Sequence, residues 1–80
     1  MTTEVEPIEV LDCRGQECPL PIIHVRLKTN LLRKDDELLI LADDATFSAE
    51  FARFCYLADI LLISKRECEG FQEYHVKLIK

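Results

Sequence analysis

Apolar and polar positions along the chain switch repeatedly between the period of a strand and that of a helix. Ile8-Glu9-Val10-Leu11-Asp12 alternates apolar with polar up to Leu11, which predicts a first strand with one buried face. From Pro19 to Leu32 or Arg33 the apolar residues fall at helical spacing in two stripes, Leu20, Ile23, Leu27 and Leu31 against Ile22, Val25 and Leu32. Lys28 marks one boundary of these stripes, Arg26 and Arg33 the other. Only one stripe can face a single sheet. The other is either a contact surface or the flank of a wide helix face tucked under neighbouring loops. Arg33-Lys34-Asp35-Asp36 reads as a turn, and Glu37 to Ala42 as a nearly continuous apolar strand inside a helix-covered sheet. Asp43-Asp44 ends that strand and offers caps for a second helix, roughly Thr46 to Leu57, in which Phe47, Phe51, Phe54 and Ala58 form a core-facing stripe.

Ile60 to Lys65 reads as a third strand and Phe71 to Ile79 as a fourth, with Glu69-Gly70 as the hairpin between them. In the fourth, Tyr74, Val76 and Leu78 share one side, and His75, Lys77 and Ile79 the other. The order βαβαββ predicts a two-layer α/β sandwich, a four-stranded mixed sheet with two helices packed on one face. Residues 1–7 are polar, end at Pro7 and are expected to form a flexible N-terminal segment, leaving 8–80 as a single domain.

Eighty residues hold only a modest core, so function is expected at a surface site or with a partner. The balance of 49% hydrophobic and 31% charged residues is that of a chain that folds. A net charge of −5 with scattered basic residues argues against direct binding to nucleic acid and favours a basic or neutral protein partner. No run reaches membrane-spanning length, and Met1-Thr2-Thr3-Glu4 has neither the basic start nor the apolar stretch of a signal peptide. A cytoplasmic location with reduced thiols is therefore expected. The four cysteines lack the C-x₂-C spacing of structural zinc, so no zinc site is expected.

Cys18 carries the most specific chemistry. Glu17-Cys18-Pro19-Leu20-Pro21 lies between the first strand and the first helix, and two prolines there fit only a first helical turn, where the N–H groups lack partners anyway. Cys18 then becomes the N-cap. A thiol at that position sees the positive end of the helix dipole and nearby free N–H groups, which stabilise its thiolate. Cysteine is a weaker cap than Ser, Thr, Asp or Asn, so stability alone does not select it.

Leu11-Asp12-x-x-Gly15-x-x-Cys18-Pro19-x-Pro21, followed by Asp43-Asp44, Phe54-Cys55 and a closing hairpin, resembles the TusA/SirA family of small sulfur-carrier proteins over about Ile8 to Lys80. The resemblance implies a sulfur-transfer protein in which Cys18 accepts sulfane sulfur as a persulfide and hands it to a partner cysteine, with no metal or organic cofactor required. Pro19, Pro21 and Gly15 would support that site. It further implies a protein donor, a cysteine desulfurase or rhodanese-like protein, and a protein acceptor, with a DsrE-like protein docking around the first helix as one choice. Some family members carry Arg before the cysteine and Glu after the first proline. Here Glu17 and Leu20 stand in those places, which points to a partner other than that of the tRNA-thiolation members. The turn Lys34-Asp35-Asp36 also lacks the glycine common in the family.

Cys13, five positions before Cys18, is read either as a small residue packed at the end of the first strand or as a resolving thiol of a disulfide switch. Arg14 and Lys28 are the nearest cations for a persulfide anion or partner carboxylate, against the plainer reading of solvated side chains. His24 lies too far along the helix for a general base, and His75 reads as a surface residue. Cys55 reads as core, and Cys68 as exposed without an activating neighbour. The rival functions are thus a thiol–disulfide redox protein using Cys13 and Cys18, and a non-catalytic interaction or regulatory domain. Either a monomer or a weak dimer fits the composition.

Overall fold

The computed structural model describes residues 9–17 and 20–79. The segment 1–7 expected to be flexible, Ile8, Cys18, Pro19 and Lys80 lie outside the described residues. The elements are β1 (Glu9–Asp12), α1 (Leu20–Thr29), β2 (Glu37–Ala42), α2 (Phe47–Ala58), β3 (Ile60–Cys68) and β4 (Phe71–Leu78). They form a four-stranded sheet in the order β1-β2-β4-β3. β1 and β2 are parallel, as a helical crossover requires, while β4 runs antiparallel to both β2 and β3. This is the mixed-sheet α/β sandwich that the order of periods predicts.

Alternation decides which face of the sheet meets the helices. Leu38, Ile40 and Ala42 of β2 and Tyr74, Val76 and Leu78 of β4 are buried, and the register sets Leu38 opposite Val76 and Ile40 opposite Tyr74. Val25 of α1, Phe47, Phe51 and Cys55 of α2 and Ile60 of β3 complete the core. Phe47 and Phe51 stack at 5.0 Å, and each meets the Tyr74 ring edge-on, at 5.3 and 5.0 Å. The Tyr74 hydroxyl is buried with no hydrogen-bond partner among the described residues, which costs about 1–3 kcal/mol. On the opposite face Leu39 and Leu41 stay half-buried, so β2 is interior to the sheet but helix-covered on one side only.

The two stripes of α1 separate cleanly. Val25 is buried with Ile22 and Leu32 packed against the core, whereas Leu20, Ile23, Leu27 and Leu31 are exposed. The helix ends at Thr29, earlier than the apolar spacing predicts. There the Thr29 hydroxyl donates to the Arg26 carbonyl, and Leu31 N–H and Leu32 N–H bond three residues back, tightening the chain so that Leu32 turns into the core. In contrast, β3 runs beyond its apolar half to Cys68, because pairing with β4 continues through Arg66 opposite Glu73 and Cys68 opposite Phe71. A bulge interrupts the pairing between Leu62 and Ser64. Gly70 closes the hairpin at φ +85°, a backbone that side-chain-bearing residues rarely adopt.

Candidate functional site: the loop between the first strand and the first helix

β1 and β2 run parallel and deliver their C-terminal residues to one end of the sheet, where β3 also ends and β4 begins. The loop after β1 lies at that end, and each residue from Cys13 to Glu17 is tied to a neighbour. Cys13 N–H donates to the Leu41 carbonyl at 2.7 Å, extending the parallel pairing past the strand, and its side chain is fully buried. Arg14 folds back on Asp12 with Nε and Nη2 at 2.9 and 2.8 Å from the two carboxylate oxygens, while its guanidinium lies 4.9 Å from the centre of the Phe71 ring. Gly15, at φ +83°, donates its N–H to both oxygens of Asp43, at 3.0 and 3.1 Å. Gln16 N–H bonds the Cys13 carbonyl, and its side-chain amide hydrogen-bonds Nδ1 of His24 at 2.8 Å. The Glu17 carbonyl accepts from Leu20 N–H at 2.9 Å as α1 begins, and Pro21 is buried in its first turn.

Of the site residues expected from sequence, Cys13, Arg14, Gly15, Glu17 and Pro21 therefore stand around one loop. Cys18 and Pro19 lie outside the described residues, in a segment flanked by Glu17 and Leu20. Lys28 does not join them. It pairs at 2.9 Å with Glu9, at the opposite end of β1. Arg14 is likewise committed to its own chain, so neither cation is held ready for an incoming anion. His75 is half-buried with Nε2 2.7 Å from Glu37, and Asp44 accepts from both the N–H and the hydroxyl of Thr46 where α2 begins. Thr46 is the N-cap by backbone position but makes no side-chain cap bond.

The electrostatics divide the thiols. Burial, with a smaller contribution from the Asp12 charge, pushes the Cys13 thiol up, and burial alone pushes Cys55 up to about 11. Asp12 is held down to about 2, chiefly by its hydrogen bonds from the Arg14 side chain and backbone. Cys68 is half-buried and, contrary to the sequence reading, has a cation at hand, because the Arg66 guanidinium that pairs with Glu73 also contacts it.

The sequence reading missed Gln16, His24 and Asp43 as the groups that hold the loop. Asp43 sits where a helix cap is expected, and no sequence signal connects it to a glycine 28 positions away. A groove of about 530 Å³ lies elsewhere, between the C-terminal ends of the helices, lined by Arg26, Leu32, Phe54, Leu57 and Leu78 among others and by none of the loop residues.

A family model described as sulfurtransferase TusA matches residues 9–80. The chain belongs to the TusA sulfurtransferase family. TusA membership carries a sulfur-transfer carrier role exercised with protein sulfur partners. The match spans the whole loop together with Cys18-Pro19-Leu20-Pro21, all four strands and both helices. Within this TusA domain, no helix among the described residues is long and apolar enough to cross a membrane.

Proposed function

We propose that this chain carries sulfane sulfur as a persulfide on Cys18 and relays it to a cysteine of a partner protein. The Cys18 thiolate attacks the outer sulfur of a donor persulfide, the donor's inner sulfur leaves as a thiolate, and Cys18 becomes Cys18–S–SH. An acceptor thiolate then attacks that outer sulfur, and Cys18 leaves as a thiolate. The sulfane sulfur changes hands without an external oxidant or reductant. Stabilising the Cys18 thiolate favours both halves, since it is nucleophile in the first and leaving group in the second.

The observation that carries this reading is the family match running through Cys18-Pro19-x-Pro21. The ties on residues 13–17 support it, because a nucleophile that must meet two partners in turn benefits from a fixed approach. Donors of the cysteine desulfurase or rhodanese-like class and acceptors of the DsrE-like class fit it, with the exposed Leu20, Ile23 and Leu27 of α1 and Leu31 just after it as the docking strip. The disulfide alternative is disfavoured by Cys13, a fully buried side chain whose thiol is held in its neutral form.

The test is intact-protein mass spectrometry after incubation with a cysteine desulfurase and cysteine, with peptide mapping. One sulfur gained on Cys18, removed by reductant and lost in Cys18→Ser but not in Cys13→Ser, is the expected result. Sulfur relay by Cys18→Ser would sink the reading.

A further inference from the structure

We propose that Asp43 is a positioning residue for sulfur transfer, acting as the acceptor that fixes Gly15 and so sets the loop bearing Cys18. This inference rests on Cys18 being the carrier thiol. Gly15 has a positive φ and no side chain, so it can be held to the rest of the fold only through its backbone. That N–H points between both oxygens of Asp43, on the loop leaving β2. β1 and β2 are already paired up to Asp12 and Leu41, and Cys13 N–H adds one further bond to β2. The Asp43 contact is the next fastening outward, and beyond it, among the described residues, come the Gln16–His24 contact and the bond from Leu20 to Glu17. Removing it leaves the chain between Cys13 and Gln16 held through Arg14, which pairs with Asp12 of its own strand end and lies over the Phe71 ring of β4, and neither contact fixes the loop to β2.

The charge of Asp43 acts against its position. If Asp43 served only as a negative charge, its removal would ease ionisation of a thiol carried by this loop. If it serves as the acceptor for Gly15, its removal frees the loop from the end of β2, and the N-cap placement expected for Cys18 from its sequence, which favours a thiolate, is loosened. The two roles predict opposite signs.

Three variants separate them. Asp43→Ala removes acceptor and charge, Asp43→Asn keeps an acceptor oxygen without the charge, and Asp43→Glu keeps the charge but displaces the oxygens by a methylene. The readouts are sulfur loading and relay, the pH midpoint of Cys18 alkylation by iodoacetamide followed by peptide mapping, and amide hydrogen exchange at Gly15. We expect Asp43→Ala to slow transfer about tenfold, raise the alkylation midpoint by about half a unit to one unit and speed Gly15 exchange. Asp43→Asn should stay within about threefold of the parent in transfer, and Asp43→Glu should behave like the alanine variant despite its charge. Should Asp43→Ala prove unfolded by circular dichroism, the asparagine and glutamate variants still decide by the same contrast. Parental behaviour in Asp43→Ala, equal losses in Asp43→Ala and Asp43→Asn, or a midpoint that falls in both would overturn the proposal. Sulfur mapped to a cysteine other than Cys18 would overturn the carrier reading, while alkylation and exchange would still report on Asp43 itself.

Discussion

Cys55 and Cys13 are both buried thiols that the fold keeps neutral, and this gives the protein an alkaline limit to its stability. The pKa of Cys55 is raised in the folded state, to about 11, so the neutral thiol is favoured there. The contribution is fully present below the pKa of an unfolded thiol, near 8.5, and is lost as pH rises from there through about 11. Cys55→Ala should therefore melt lower at neutral pH, because a small cavity opens in the core, yet lose less of its thermal midpoint between pH 9 and 11 than the parent does. Melts across that range check this, and an identical alkaline slope in both proteins would refute it. The core role of Cys55 is readable in the sequence, since it falls beside an aromatic stripe. The cation beside Cys68 is not, because Arg66 and Cys68 meet only through the pleat of β3, which reaches further than its apolar residues do.

At the scale of elements, the order and type of every helix and strand follow from the switches of period, because burying one face of each fixes where apolar residues must fall. Their ends do not follow. α1 stops where its hydrogen bonds tighten at Thr29, and α2 stops at Asp59, which adopts a left-handed conformation at φ 59° and donates its N–H to the Cys55 carbonyl. Aspartate there is poorly suited twice over, by its Cβ and by its charge at the negative end of the helix dipole. Asp59→Gly should stabilise the fold by about 0.5–1 kcal/mol, raising the melting temperature by a few degrees with helix content unchanged. Differential scanning calorimetry at neutral pH measures it, and a lower melting temperature would count against this account of the cap. Asp35, at φ 73°, occupies the turn in which the family's glycine is missing, and its N–H is tied to the Leu78 carbonyl. The missing glycine thus leaves the turn in place, with an aspartate bearing the positive φ.

For the molecule as a whole, the net charge of −5 conceals a division. Between Leu20 and Lys34 the chain carries Arg26, Lys28, Arg33 and Lys34 and no acidic residue, whereas Asp12, Glu17, Asp43, Asp44, Glu67 and Glu69 gather at the loop and hairpin end of the sheet. The basic or neutral partner inferred from net charge thus suits the loop end alone. Exposed Leu27 of α1 and Leu31 just after it, on a segment that also carries exposed Arg26, Arg33 and Lys34, suit an apolar partner surface edged with carboxylates. Reversing charge with Arg33→Glu and Lys34→Glu should slow association with a sulfur donor or acceptor by about tenfold at low salt, with the difference shrinking as salt is added, and should leave Cys18 alkylation unchanged. Stopped-flow association at several ionic strengths tests this, and a salt-independent rate would rule out steering by this strip. Net composition could not reveal the division, because it becomes spatial only once α1 is laid across the sheet.

The bulge in β3 has a consequence at the same scale. β3 is an edge strand of nine residues with Leu61, Leu62 and Ile63 all exposed, and a straight edge of that kind could template copy after copy into one growing fibre. The irregularity between Leu62 and Ser64 breaks the row of outward N–H and C=O groups into two short runs at its most apolar point. Copies of the chain at high concentration thus find a poor seed for fibre growth along this edge.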